Sequence, residues 1–465
     1  MKNVIIIQVV SKKKLMKNVI LLLSSMLFLY MVISIYFTKH FFFNTSINGV
    51  DVSLRSNDRI QAQIEGFIKD YELELIERDN QRDKITGKDI ELGYDKNVNF
   101  KGILKKQKPL NWFSSLFCER KYYIKDLYSF NRKMVNDKVS ELHCLTRKII
   151  EPKNVRFLYS NGSYIVVKEV EGNKIRKDKL IETVIVSILN GKRKLNLLDK
   201  ECYEEPKYRL NSEKTFRSNN LLNKYVGSII QYNFGNLHEV VDKKLIPSWI
   251  IVDDNLDVTI SKKEVEKYIY DLSKKYDTVG ITRSFHTSTG KDILIKGGLY
   301  GWKINQEAEA LALIERIKEG MTYETEPIYS QRAKSRDLNE IGNTYVEINI
   351  TKQHVWFYIN GKLIIEGPVV TGNPNRGNST VVGTHMLNYK QKDVILRGAG
   401  YEAKVTYWMP FYGNIGLHDA SWRSKFGGEI YKTRGSHGCV NAPLYLAKTV
   451  FERIEEGIPV IVYEE

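Results

Sequence analysis

Cysteine is scarce in this chain: there are four in 465 residues, Cys118, Cys144, Cys202 and Cys439. Their separations match neither a zinc site nor a disulfide scaffold, so no metal, no cofactor and no stapled small-domain fold is expected. Nucleic-acid signatures are also missing. Lysine and arginine exceed aspartate and glutamate by 16, yet no zinc-finger spacing, helix-turn-helix pattern or aromatic RNA-binding motif accompanies that excess. No nucleic-acid partner is therefore expected. Gly427-Gly428 lacks the lysine and serine that would follow in a phosphate loop, and it reads as a turn. The basic balance is left with two readings, a solvated surface or attraction to an anionic polymer.

One apolar run stands out. Val19 to Phe37 is interrupted only by Ser24, Ser25 and Ser34, and about 20 apolar residues cross a bilayer as a helix. Lys12, Lys13, Lys14 and Lys17 precede it, which places that side in the cytoplasm by the positive-inside rule. Residues 1–17 are thus expected as a cytoplasmic basic segment and 18–38 as a transmembrane anchor, with everything after His40 outside. A cleaved signal peptide is the competing reading. The run is long for one, and no A-x-A-like site follows it. Met1-Lys2-Asn3-Val4-Ile5 recurs as Met16-Lys17-Asn18-Val19-Ile20, and a start at Met16 would leave the anchor nearly unchanged.

The length calls for several domains, and an internal repeat organises the middle. Gly172-Asn173-Lys174-Ile175 matches Gly301-Trp302-Lys303-Ile304 at an offset of 129 residues. The same offset pairs Ile181, Val184, Ile185 and Ile188 with Ala310, Leu313, Ile314 and Ile317, the spacing of one helix face. Gly191 and Gly320 stand where each helix should stop. Two copies of an α+β module are expected, over 44–210 and 211–329. A polar linker, 330–343, then leads to a β-rich domain, 344–465. There Val346, Ile348 and Ile350 alternate, as do Val355, Phe357 and Ile359, and Asn360-Gly361 supplies a hairpin turn. The fold class is α+β and multidomain.

The chemistry concentrates between His418 and Asn441. Cys439 sits in Ser436-His437-Gly438-Cys439-Val440-Asn441, with His418 upstream. A thiolate is the nucleophilic form of cysteine, so Cys439 needs a base, and His418 can supply it. The apolar spacing after Pro443 predicts a helix capped by Asn441 or Ala442. Its dipole would favour the thiolate. Amides around Gly438 and Cys439 would hold an oxyanion.

H-x17-S-H-G-C-V-N resembles the signature of the L,D-transpeptidase (YkuD-type) catalytic domain. Thr371-Gly372-Asn373, Gly383-Thr384, Trp408-Met409-Pro410-Phe411 and Ile415-Gly416-Leu417-His418 extend the resemblance over roughly residues 340 to 465. Many members carry Thr-Pro before the glycine turn, where this chain has Thr380-Val381-Val382-Gly383. The resemblance implies an enzyme that forms 3→3 peptidoglycan cross-links. Cys439 would attack a donor tetrapeptide stem and release D-alanine, and an acceptor stem would resolve the thioester. The modules resemble the peptidoglycan-binding domain found upstream of such domains, Gly297-Gly298-Leu299-Tyr300-Gly301-Trp302 being the nearest match. The competing reading is a duplicated spacer.

Besides Cys439 and His418, His437 and Gly438 are candidate catalytic residues, with His437 either shaping the pocket or structural. Ser436, Asn441, Arg423 and Trp408 are candidate substrate-binding residues, with Ser436 and Asn441 expected to hold the cysteine loop by hydrogen bonds rather than react. Arg423 would pair with a substrate carboxylate or stay solvated. Trp408, with Tyr407, would form a lid or a packed aromatic. Partners implied are peptidoglycan stems, the membrane through the N-terminal helix, and anionic wall polymers. A wall-peptide hydrolase, either an L,D-carboxypeptidase or a cysteine peptidase, would use the same Cys/His pair. A non-catalytic wall anchor is the rival outside enzymes.

Overall fold

The computed structural model describes residues 12–336, 339–398 and 401–465. Residues 1–11 of the expected basic segment, and Asp337 and Leu338 of the expected linker, lie outside the described residues. Two compact units form. One runs to Arg156 and resumes over Val167–Ser212; the other comprises Phe157–Val166 and Glu213–Glu465.

The first unit opens with the helix Lys12–Tyr36, whose apolar side chains are mostly exposed. The repeat module follows. Helix Asn57–Lys69 leads into the antiparallel strands Glu72–Ile76 and Arg82–Thr86, and Lys194–Asn196 adds to Glu72–Ile76 in parallel. Helix Lys177–Leu189 buries Leu180, Val184 and Ile188 against Ile60, Ile64, Leu73 and Leu75. Of the positions that the helical spacing singled out, Val184 and Ile188 are buried and Ile181 and Ile185 pack partly buried at the edge of the same core, while Leu180 completes the buried face.

The second unit repeats this plan. Helix Glu213–Val226 precedes the hairpin Ile229–Phe234 and Leu237–Val241, and Thr322–Thr325 adds to Ile229–Phe234 in parallel. Helix Gln306–Glu319 buries Ala310, Leu313, Ile314 and Ile317. It ends at Gly320, which is left-handed at φ 73°, a conformation that costs glycine nothing. Residues 157–166 lie within the stretch 44–210 but belong to this second unit. Tyr159 and Tyr164 pack on its core, and the Asn223 side chain holds Tyr164 through both its backbone N–H (2.8 Å) and its carbonyl (3.0 Å).

The C-terminal domain, also in the second unit, has two sheets. The first runs Lys362–Pro368, His354–Ile359, Tyr345–Asn349, Pro459–Tyr463 and Gly383–Met386. Its first hairpin turns at Asn360 and Gly361, both at positive φ (50° and 75°) as a two-residue turn of this hand requires. The second sheet runs Gln391–Gly398, Tyr401–Tyr412, Ile415–Asp419 and Val440–Ala442, with the last pair parallel. A single core joins both sheets to the helix Leu444–Arg453.

The second module is seamed to this domain through Gly297-Gly298-Leu299-Tyr300. Tyr300 N–H donates to Thr384 O (3.0 Å), and Thr384 N–H donates to Gly297 O (3.1 Å). A Cβ on Gly298, at φ 96°, would lie 2.0 Å from Thr384 O. Nearby, buried Arg283 pairs with Glu340 at 2.6 Å, and buried Glu347 accepts from Ser288 N–H (2.9 Å) and Oγ (2.6 Å) and from Tyr463 Oη (2.6 Å). Tyr300 Oη donates to Glu340 O at 2.6 Å, so the segment 330–343 is itself held down.

Gly298→Ala should open this seam, costing about 1–3 kcal/mol as overpacking does. Gly290→Ala is the control, since Gly290 is also at positive φ (83°) but has nothing within 4 Å of its would-be Cβ. Thermal unfolding of the two variants should separate crowding from backbone strain. Equal losses would sink the seam as the cause.

Candidate active site around Cys439

Strands Ile415–Asp419 and Val440–Ala442 lie side by side, with His418 opposite Asn441. Cys439 is the residue just before the second of these strands. It and His418 line one cavity of about 530 Å³, together with Leu396, Glu402, Ala403, Lys404, Trp422, Arg423, Gly435, Ser436, His437 and Asn441. The sequence had not singled out Leu396, Glu402, Ala403 and Lys404. They come from the hairpin Gln391–Gly398 and Tyr401–Tyr412, whose period-2 pattern marks strands but not which side faces a site.

The cysteine loop is pinned from several sides. Ser436 N–H donates to Thr371 O (3.0 Å), Asn373 N–H donates to Ser436 O (3.0 Å), and Asn441 N–H and Val370 O meet at 2.9 Å. Thr380 Oγ1 donates to Gly438 O (2.7 Å) and accepts from Gly372 N–H (2.9 Å). Ser436 Oγ donates to the Cys439 carbonyl and accepts from Gly438 N–H at 3.1 Å. The Gly438 amide, expected to hold an oxyanion, is thus already engaged by Ser436. Gly438 itself sits at φ 121°, where a Cβ would meet Ile415 Cδ1 at 3.0 Å.

His418 is buried, with Nδ1 2.8 Å from the Asp419 carbonyl. A carbonyl only accepts, so Nδ1 carries the proton and Nε2 the lone pair. With the Asn441 amide turned to satisfy its neighbours, its NH2 donates to His418 Nε2 at 3.1 Å, and its oxygen accepts from Arg423 Nε at 2.8 Å. Arg423 Nη2 also donates to Arg434 O (2.7 Å). The arginine, read as either a partner for a substrate carboxylate or a solvated side chain, bonds Asn441 and lies at the cavity wall. Asp419, which the sequence reading passed over, anchors the neighbouring strand, its Oδ1 accepting from Thr406 N–H (2.8 Å) and Tyr407 N–H (2.7 Å).

One expectation is corrected. Val440–Ala442 is a strand, and the following helix is capped by Pro443, so Cys439 is not at a helix N-terminus. The pairing with Ile415–Asp419 keeps these residues extended. Burial instead pushes the Cys439 thiol up to about 11, against a smaller pull from the Gly416 backbone. The thiol rests on Asn414 O, 3.6 Å from Sγ. Of the two readings of Trp408, a lid or a packed aromatic, the structure agrees with the packed aromatic. Trp408 is buried, 4% exposed, and packs beneath the site against Val405 and Cys439, with its ring 5.8 Å from that of His418. The exposed tryptophan at the rim is Trp422, 51% exposed and 6.0 Å from the His418 ring. His437 is exposed and lines the cavity.

Burial, with the Arg423 charge adding to it, holds the His418 imidazole below its ordinary range. Both shifts favour the uncharged forms, a thiol and an imidazole, over a standing ion pair.

Comparison with known proteins adds to this geometry. The YkuD model, an L,D-transpeptidase catalytic domain, matches residues 343–462. A peptidoglycan binding domain model matches twice, over 87–196 and 213–326. A search of the curated proteins returns no match. Among solved structures, the Ldtfm–avibactam carbamoyl enzyme is 31% identical, with 54% of this chain and 99% of that one covered, at a TM-score of 0.44. A cysteine-to-serine mutant of the Enterococcus faecium L,D-transpeptidase is 30% identical, over 54% of this chain and 100% of that one, at 0.43. The E. faecium catalytic domain acylated by ertapenem is 38% identical, over 26% of this chain and 98% of that one, at 0.25.

Titration should report the neutral pair. Alkylation of Cys439 by iodoacetamide should keep rising through pH 9 toward its raised pKa of about 11, instead of levelling near the ordinary thiol value of about 8.5. With His418 as the base for Cys439, turnover would need the imidazole unprotonated, and its acid limb should lie below the usual imidazole range. Arg423→Gln removes a charge that opposes protonation and should move that limb to higher pH. A plateau near pH 8.5, or an acid limb unmoved in Arg423→Gln, would contradict the geometry.

Proposed function

The chain belongs to the L,D-transpeptidase family, and on that premise we propose that it forms 3→3 peptidoglycan cross-links through an acyl-enzyme on Cys439. The observation that carries this reading is the opening of Cys439 and His418 onto one cavity whose cysteine loop is fixed by the Thr371–Asn373 segment, Thr380 and Ser436. Cys439 Sγ attacks the carbonyl between the third and fourth residues of a donor tetrapeptide stem. His418 Nε2 takes the thiol proton as the carbon–sulfur bond forms, which requires the Asn441 amide to yield its hydrogen bond. The protonated imidazole then returns that proton to the departing amine of D-alanine, leaving a thioester. The side-chain amine of an acceptor stem's third residue attacks the thioester, its proton passing by way of His418 to the thiolate. A peptide cross-link and free Cys439 result.

Donors for the developing oxyanion would come from the Gly438 and Cys439 amides. For Gly438 this means releasing Ser436 Oγ when substrate arrives. Losing one such donor typically costs about 10²–10³ in rate. His437 and Trp422, at the rim, would contact the stem, and Arg423 would act by holding Asn441.

The rest of the chain supports a role at the wall. The helix Lys12–Tyr36 is apolar and long enough to cross a bilayer, and we read it as an anchor with the N-terminus in the cytoplasm. The active site then faces the wall. The two modules would bind peptidoglycan, and the basic surface would be drawn to anionic wall polymers.

The test uses the full chain in detergent with a disaccharide-tetrapeptide, followed by mass spectrometry, and Cys439→Ala as control. A dimer lacking one D-alanine, dependent on Cys439, is the expected product. Tripeptide alone would shift the reading to an L,D-carboxypeptidase. No cysteine-dependent product would overturn it. His418→Ala should lower kcat/KM by about 10²–10⁴, the usual contribution of a general base. Ertapenem should add its mass to the wild type and not to Cys439→Ala.

A further inference from the structure

The first module covers part of the apolar helix, and the depth of that cover has a consequence. Among the described residues of Lys12–Tyr36, only the last turns are shielded: Ser34 is buried and Tyr30 and Ile33 partly so, and Phe37 just beyond is buried. The cover is the 3-10 turn Pro109–Leu116. Trp112 lies 5.3 Å from the Tyr30 ring, 6.1 Å from Phe37 and 6.4 Å from Phe43, and Tyr30 Oη donates to Leu110 O. Gln107 clamps the start of this segment, its amide donating to Phe37 O (3.2 Å) and His40 O (2.8 Å) and accepting from Phe42 N–H (3.1 Å). The Asn44 amide clamps its end through Ser115 O at 2.9 Å.

The opposite side of this turn is apolar and open. Leu110, Phe113, Leu116 and Phe117 are exposed, Phe117 by 77%. Exposed Lys105, Lys106 and Lys108 immediately precede them. The backbone is prepared for a dry setting. Ser114 Oγ donates to Asn111 O (2.8 Å) and Ser115 Oγ to Trp112 O (2.6 Å). With Tyr30 and Asn44, side chains thereby satisfy the carbonyls of Leu110, Asn111, Trp112 and Ser115. In hydrocarbon, backbone groups must be paired within the protein.

If Lys17 stays at the inner headgroups, a hydrocarbon core of about 30 Å is crossed in about 20 residues at about 1.5 Å each, ending near Phe37. Tyr30 then lies about 10 Å inside the outer boundary. A segment fastened to Tyr30 lies at that depth as well.

We propose that Pro109–Phe117 is a membrane foot, with Leu110, Phe113, Leu116 and Phe117 inserted among the outer-leaflet acyl chains and Lys105, Lys106 and Lys108 against anionic headgroups. This rests on the reading of Lys12–Tyr36 as a membrane span. The foot fixes how the first module stands on the bilayer, which one helix alone would leave free to swivel.

The test places an environment-sensitive fluorophore on the full chain, reconstituted in vesicles of phosphatidylcholine and phosphatidylglycerol in equal amounts. Exposed Cys118, in a Cys439→Ala background, is a native attachment site beside the foot. Phe113→Cys, Leu23→Cys and Lys200→Cys, each with Cys118→Ser, give the foot, the span and a module surface. Lipids doxyl-labelled on the acyl chain should quench the probes at 113, 118 and 23 and leave the one at 200 bright. Quenching at 23 without quenching at 113 and 118 overturns the foot and leaves the span standing. Quenching at none of them overturns both. Quenching at 113 and 118 without 23 keeps the lipid contact and overturns the span. A signal at 113 that vanishes as protein is diluted in lipid would mean that a second copy covers this face, and the foot would be overturned.

Discussion

The site depends on one short parallel pairing, Ile415–Asp419 beside Val440–Ala442. Its register sets His418 against Asn441 and leaves Cys439 as the last residue before the ladder begins. A one-residue slip would turn every side chain of the second strand to the other face. The register is held from outside by Val370, whose backbone exchanges hydrogen bonds with Asn441, and by Thr371, whose carbonyl receives Ser436 N–H. The segment Val370–Asn373 thus serves as a third rail for the cysteine loop.

That arrangement places Cys439 and His418 where water is scarce. Burial raises the thiol and lowers the imidazole, so both lose charge for the same physical reason. An exposed thiolate would be fast with any electrophile. A buried thiol beside a neutral base favours a substrate that fills the cavity and accepts the proton's movement as it reacts. The Asn441 amide, bound to both His418 and Arg423, fixes the tautomer from one side while the Asp419 carbonyl fixes it from the other.

Much of this was legible in the sequence. The module helices emerged from the 129-residue repeat because buried positions on a helix recur at fixed spacing. The hairpin at Asn360-Gly361 followed from turn chemistry, and Cys439 with His418 from residue type and context. Sequence could not show that Val440–Ala442 is extended, since its apolar residues fit a strand or a helix start equally well and the partner strand is distant. It could not distinguish Trp408 beneath the site from Trp422 at its rim, because alternation assigns faces only once the sheet is known. Nor could it show that Gly297–Tyr300, the stretch most like a binding module, spends its backbone on Thr384.

That last contact has a mechanical meaning. Thr384 lies a few residues along the chain from Thr380, whose hydroxyl holds the Gly438 carbonyl. One short turn therefore runs from the seam to the cysteine loop, with Gly383 packed against Gly298 in between. Among the contacts that would share tension on the module, this one leads to the segment that holds the Gly438 carbonyl. Under load, the stiffness of Thr380–Thr384 would then bear directly on the position of the Cys439 loop.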